Sequence, residues 1–328
     1  MKKLLALLLV LAMSVMCLAS CGDAKDNNGD NADKTYTVGI CQLVPHPALD
    51  AATQGFIDAL KADLGDKVTF LNENANNDPA VCTTIVTNFS NKKVDLIMAN
   101  ATPALTAAVN GTTTIPILGT SITEYGVALG IDDFSGTVGG NVSGTSDLAP
   151  LDQQAAMITD LFPEAKTVAM LYCSSEPNSA YQVKVVREIL EGKGLTVLDK
   201  SFTDSNDVNA VAANAAAEAD VIYIPTDNTA AECAPAINGV IGDTPLIAGE
   251  QGICSGCGVA TLCIEYYDLG YATGKMAVQI LKGEADISKM PVQYADKFTK
   301  KYNAEKCAQL NIDTAALEAA GYVAIATE

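Results

Sequence analysis

Val-Ile-Tyr-Ile-Pro-Thr-Asp-Asn-Thr, residues 221–229, decides the fold. Four β-favouring residues run unbroken and then give way to a polar burst. An unbroken apolar run of this length reads as a strand buried on both faces, the kind found in parallel sheets. Polar residues at its carboxyl end stand where open α/β sheets bind ligands. The same plan occurs earlier, at Asp95-Leu96-Ile97-Met98-Ala99-Asn100-Ala101-Thr102-Pro103, with Asp95 matching Asp220. Three more pairs follow in the same order. Thr37–Ile40 echoes Thr167–Met170, Asn76–Asp78 echoes Ser205–Asp207, and Ile115–Ser121 echoes Thr244–Glu250, each about 130 residues apart. Four ordered matches at a nearly constant offset predict two structurally equivalent lobes.

Outward from that pair, Ala-rich helical segments alternate with short β-branched runs, which predicts an α/β class with parallel sheets. In the first lobe, strands are expected at Tyr36–Leu43, Val68–Leu71, the run after Asp95 and Ile115–Gly119. Pro47 sits well for the first turn of a helix, and Asp78-Pro79 and Thr102-Pro103 are helix-start signatures. In the second lobe, strands are expected at Thr167–Tyr172, Leu195–Leu198, Val221–Ile224, Pro245–Ala248 and Gly258–Ile264. Helices are expected over Pro150–Phe162, Ala180–Lys193 and Tyr266–Lys282. Gly136–Gly144, with four glycines, is expected to be a crossover between lobes. These boundaries place 35–140 plus about 259–285 in one lobe, and about 141–258 plus 286–328 in the other.

The amino terminus reads differently. Lys2 and Lys3 precede an apolar run from Leu4 to Leu18, the basic and apolar regions of a secretory leader covering residues 1–20. The run is short for a membrane span. Leu18-Ala19-Ser20-Cys21-Gly22 resembles the bacterial lipobox, which implies that Cys21 becomes a lipidated, palmitate-bearing first residue. Asp23–Lys34 has no large apolar residue and is expected to be a flexible tether, covering 21–34 with the lipidated cysteine. Without Lys2 and Lys3, 18 Lys and Arg face 39 Asp and Glu, a formal charge of −21. That excludes nucleic acid as a partner and a broad electrostatic membrane contact.

The phrases H-P-A-L-D-A (46–51), A-T-P-A (101–104), N-V-S-G-T-S-D (141–147), P-T-D-N-T (225–229) and Y-Y-D-L-G-Y-A-T-G-K-M-A (266–277) resemble the solute-binding proteins of tryptophan/tyrosine ABC transporters. The resemblance covers about Tyr36 to Gln293. It implies a type I periplasmic-binding-protein fold: two Rossmann-like lobes joined by a three-strand hinge, with solute trapped between them. It also implies an extracytoplasmic protein that delivers its solute to a permease and its ATPase.

From the residues themselves, strand-end loops of the two lobes are expected to face each other across a cleft. The first lobe offers Gln42, Asn100, Thr102, Thr120, Ser121 and Glu124. The second offers Ser174, Ser175, Asn178, Ser179, Asp227, Asn228 and Glu250. Hydroxyls, amides and a helix N-terminus suit a carboxylate. Asp227 and Glu250 suit an ammonium, so an amino acid is expected with its α-carboxylate on the first lobe. Each of these side chains can equally serve as a helix cap. The absence of Trp speaks against sugar stacking, although Tyr172, Tyr181 and Tyr223 keep a sugar or nucleoside open. A sensory receptor is a further alternative.

An enzyme lacks an evident nucleophile–base pair: His46 is the single histidine and reads as a structural or cleft-rim residue. No cofactor or metal is expected. Gly270-Tyr271-Ala272-Thr273-Gly274-Lys275-Met276 has the wrong glycine spacing for a phosphate loop and lies in a helix-like stretch. Cys254 and Cys257 form a C-x-x-C pair in a Gly-rich segment, with a structural disulfide or free thiols expected ahead of metal or redox chemistry.

Overall fold

The structure is a computed structural model describing residues 34–326. The leader, the tether and Cys21 lie outside the described residues. Thr35 onward forms one compact unit.

Two sheets carry the fold. The first is assembled from β1 (Tyr36–Gln42), β2 (Val68–Asn74), β3 (Leu96–Asn100), β4 (Ile117–Ile122) and β5 (Val142–Ser146). The second holds β6 (Thr167–Cys173), β7 (Thr196–Phe202), β8 (Val221–Ile224), β9 (Leu246–Ala248) and β10 (Ala260–Cys263). A late pair of residues, β11 (Gln293–Tyr294), returns to the first sheet, and β12 (Thr299–Tyr302) and β13 (Val323–Ala324) complete the second. Strand orders are β11-β5-β4-β3-β1-β2 and β13-β12-β10-β9-β8-β6-β7. Pairing is parallel throughout, apart from β10 with β12. This confirms the two-lobed α/β architecture.

The central strands β3 and β8 are buried along their whole length, as unbroken apolar runs require, while the outer strands β2 and β7 are half exposed. The internal echo is exact in its hydrogen bonds. The Asp95 carboxylate accepts from the Thr37 amide and the Asp95 amide donates to the Thr37 carbonyl. In the second lobe, Asp220 makes both bonds with Thr167 and adds one from the Lys166 amide. Ile97 and Ile222 donate to Pro116 and Pro245 respectively, one strand further on.

The helix Tyr266–Leu281 covers the first sheet although its sequence follows the second. It lies against the helix Pro47–Leu64 at backbone contact, because Gly55, Gly270 and Gly274 face it across the seam. A Cβ on Gly270 would overlap the Ala52 carbonyl, and one on Gly55 the Tyr267 carbonyl. The glycines of the pseudo-phosphate-loop phrase are therefore helix-packing residues.

Three segments cross between lobes: 147–150 after β5, 264–265 after β10, and 295–298 after β11. The expected crossover at 136–144 is displaced, because Val142–Ser146 is itself a strand of the first sheet. Likewise 259–263 belongs to the second sheet and 286–294 stays with the first, so both expected lobe boundaries shift. Strand β5 has few apolar residues; its hydroxyls find partners instead, with Thr145 Oγ1 at 2.8 Å from Thr273 Oγ1 and Ser143 donating to the Met290 carbonyl at 3.0 Å.

Candidate functional site: the cleft between the lobes

The carboxyl ends of both sheets meet at a narrow cleft. Its wall is formed by His46, Leu49, Ser121 and Thr123 from the first lobe, and by Asn178, Thr226–Asn228, Ala231 and Glu250 from the second. Asp147 and Tyr266 close it at the hinge. The lobes touch across it. Asn77 Nδ2 donates to Thr229 Oγ1 at 3.2 Å and to Glu232 Oε2 at 3.1 Å, and His46 Nε2 lies 3.5 Å from Asn228 Oδ1.

Of the thirteen expected contact residues, five line this cleft: Ser121, Asn178, Asp227, Asn228 and Glu250. The other eight are placed elsewhere by local chemistry. Gln42 donates to Asp50 and the Val44 carbonyl and accepts from Thr53; Asn100 donates to Thr53 and the Leu49 carbonyl. This network, neutral in its buried part Gln42–Thr53–Asn100 and ending on the exposed Asp50, fastens the helix Pro47–Leu64 to the strand ends. Thr120 accepts from Thr145, and Thr102 is buried in the first turn of its own helix. Glu124 caps the helix Tyr125–Leu129 by accepting from Gly126 and Val127 amides. Ser175 points away to the Thr203 carbonyl, and Ser174 to that of Phe202. Ser179 is buried behind Asn178, which donates to it.

The two carboxylates expected to hold an ammonium are also occupied. Asp227 accepts from the Cys173 amide at 2.7 Å and from Ala230 at 2.7 Å, capping the helix Asn228–Ile241. Burial and the neighbouring Glu176 push it up to about 8. Glu250 caps the helix Gln251–Cys257, accepting from the Gly252 and Ile253 amides. Glu176, unremarked in the sequence, lies under the same loop. It accepts from the Asn228 and Thr229 amides and from both their side chains.

What the sequence did not single out is the unfilled hydrogen-bonding capacity here. Buried polar side-chain atoms without a partner are rare in folded proteins. Six occur among the described residues, and four of them belong to the walls of this one cleft: His46 Nδ1, Ser121 Oγ, Asp147 Oδ1 and Asn178 Oδ1. Ser121 is also held at φ 55°, a left-handed conformation unusual for a residue with a side chain. Asp147 sits in a quoted phrase, N-V-S-G-T-S-D, whose last residue is the first beyond β5. Burial pushes its carboxyl up to about 6, against the hydrogen bond from Tyr266. An imidazole nitrogen, a hydroxyl and a carboxylate oxygen thus converge with the Asn178 amide oxygen of the second lobe around a space of about 10 Å³, a set of groups suited to polar atoms of either sign.

Residues 37–319 match the family described as ABC transporter substrate binding protein. The chain belongs to that family. A tyrosine-binding protein of Clostridioides difficile (strain R20291) is 34% identical over 307 residues, covering 90% of this chain and 88% of the relative. Among solved structures, an ABC domain in complex with L-Trp from Streptococcus pneumonia is 30% identical. It superposes with a TM-score of 0.83 over 89% of this chain and 100% of that one. The ligand-free, open structure of a Clostridium difficile substrate binding protein with adhesive properties is 36% identical, with a TM-score of 0.68 over 90% and 100% of the two chains.

The family is one of ABC transporter substrate-binding proteins, which work outside the cytoplasm, and the two lobes have the type I periplasmic-binding-protein fold. No described helix of this family member is long and apolar enough to cross a membrane. Its eight cysteines among the described residues carry free thiols, and Cys254 and Cys257 lie buried on the helix Gln251–Cys257 rather than in a loop. Burial pushes Cys257 up to about 12, which makes it a poor nucleophile.

Proposed function

We propose that this chain is the lipid-anchored substrate-binding protein of an ABC importer for an aromatic amino acid, tethered through Cys21 and delivering solute to a permease and its ATPase. The observation that carries the reading is the set of four unpartnered buried atoms meeting in one interlobe cleft. They match an α-amino acid: the Asp147 carboxylate for the ammonium, and Ser121 Oγ with the His46 ring for the carboxylate. Asp227, Asn228 and Glu250 shape the wall while their oxygens hold helix ends. Beyond Glu250 and Tyr266 the cleft adjoins a groove of about 460 Å³ with Pro47, Ala48, Ala51 and Ile264 on its surface, room for a ring.

Two comparisons support the reading. A tyrosine-binding relative and a Trp complex stand at 34% and 30% identity. The chain also superposes better on the Trp complex than on the open, ligand-free structure, despite the latter's higher identity. That order is expected of lobes arranged as around a solute.

The test is a thermal-shift screen of the chain from Thr35 onward against the amino acids, nucleosides and common sugars. A ligand at 100 times its dissociation constant stabilises by about 2.7 kcal/mol. Stabilisation by Tyr, Trp or Phe supports the reading, with Ser121→Ala weakening it. Stabilisation by sugars or nucleosides alone overturns the amino-acid assignment.

A further inference from the structure

Two observations meet at Asp147. Its Oδ2 accepts a hydrogen bond from the Tyr266 hydroxyl at 2.9 Å, and its Oδ1 has no partner although the residue is only 3% exposed. Asp147 is the first residue after β5, where the chain leaves the first lobe. Tyr266 opens the helix by which it returns. Their bond therefore ties together two of the three crossings between lobes, 119 residues apart in sequence.

We propose that Asp147 and Tyr266 form a charge-gated latch, in which closure of the lobes requires a cationic group beside Asp147 and Tyr266 relays its presence to the crossings. This rests on the amino-acid reading and deepens it by naming what the site selects. A carboxylate taken out of water without a counter-charge opposes the state that buries it. In an open cleft Asp147 is hydrated; in the closed one its Oδ1 is dry. Closure over an ammonium satisfies that oxygen, and closure over an uncharged solute leaves it bare. The pair thus filters solutes at the closing step, admitting amines and rejecting sugars of similar size.

A proton can stand in for the cation. The groups around Asp147 are Tyr266 from the helix Tyr266–Leu281, Thr123 beyond β4, Tyr125 from the following helix, and Glu250 and Asp227 from the second-lobe helix starts, with His46 across the cleft. None of the carboxylates helps it ionise. Burial raises its carboxyl from 3.8 to about 6 in the closed form. The state with the higher value binds the proton more tightly, so it gains as pH falls. Ligand-free closure therefore grows as pH drops through about 6, by about tenfold per unit. Affinity for an amino acid moves the other way, because below that point its ammonium must displace a proton.

Small-angle scattering of the ligand-free chain at pH 5 and pH 8 tests the latch. The wild type is expected to be more compact at pH 5, and Asp147→Asn compact at both. In Tyr266→Phe the midpoint moves to higher pH, since a hydrogen bond favouring the ionised form is gone. His46→Gln loses the contact with Asn228 and so shifts the overall compactness, yet it keeps a difference between pH 5 and pH 8. A radius of gyration identical at both pH values in the wild type overturns the proposal, as does a profile that follows His46 instead of Asp147. These outcomes need no ligand. Calorimetry with L-tyrosine from pH 5 to 8 adds an independent arm: wild-type affinity is expected to fall toward pH 5, by at most about tenfold. Absence of L-tyrosine, L-tryptophan and L-phenylalanine binding at every pH sinks the amino-acid reading alone, leaving the scattering to judge the latch.

Discussion

The two lobes repeat one another at the bottom of their sheets and part ways at the top. At the bottom, Asp95 and Asp220 make the same pair of bonds to Thr37 and Thr167. At the top, the first lobe fastens its strand ends with a neutral network, Gln42–Thr53–Asn100. The second uses buried carboxylates: Glu176 beneath Asn228 and Thr229, Asp227 as a cap, and Glu250 as another. The difference teaches that acidic residues at a cleft are not by themselves a cation site. In the second lobe their oxygens are consumed by helix N-termini, where negative charge is favoured. The unspent carboxylate oxygen is at the hinge.

The comparison can be broken most forcefully at Glu176. Glu176→Ala strips an acceptor from two amides and three side chains at once, leaving buried donors without partners. A loss of about 3–5 kcal/mol in urea unfolding is expected. Thr53→Val, its counterpart in the neutral network, is expected to cost about 1–2 kcal/mol. Equal losses would erase the distinction between the two strand-end designs.

A second effect is pH dependence. Asp227 titrates higher folded than unfolded, so its contribution is full below its ordinary value of 3.8, declines as pH rises and is gone above about 8. The ligand-free melting temperature is expected to decline from pH 6 to pH 9, and Asp227→Asn to flatten the slope. A decline unchanged in that variant would remove Asp227 as its source. The smallest effect tests the shared base. Asp95→Ala and Asp220→Ala are each expected to cost about 1 kcal/mol, and nearly the same amount in thermal unfolding. A several-fold disparity would mean that the two strand pairs are not equivalent.

Strands whose burial is apolar were legible: β3 and β8 announced themselves, and the helix starts at Pro47 and Asp78 followed from their turn chemistry. Strand β5 was not, because Val142–Ser146 is buried by hydroxyl pairing, which carries no hydrophobic period. Reading its glycines as a hinge moved the crossover several residues too early and left Asp147 outside the candidate set. Glu124 and Glu250 were ambiguous for a deeper reason. A helix start and an amine both ask for an oxygen acceptor at the same turn, and local sequence does not say which obtains it.

The helix Tyr266–Leu281 gives the molecule a schedule. Its glycine seam with the helix Pro47–Leu64 joins residues more than 200 positions apart, and the Lys275–Asp63 ion pair stitches the same seam at its rim. A chain emerging from its amino end could lay down β1 to β5 and still lack the cover for one face of that sheet. The second lobe, meanwhile, waits for β12 and β13. Both cores therefore remain unfinished until nearly the last residue is available, and such long-range closure folds slowly. For most of its synthesis this protein is a chain awaiting its later strands and helix.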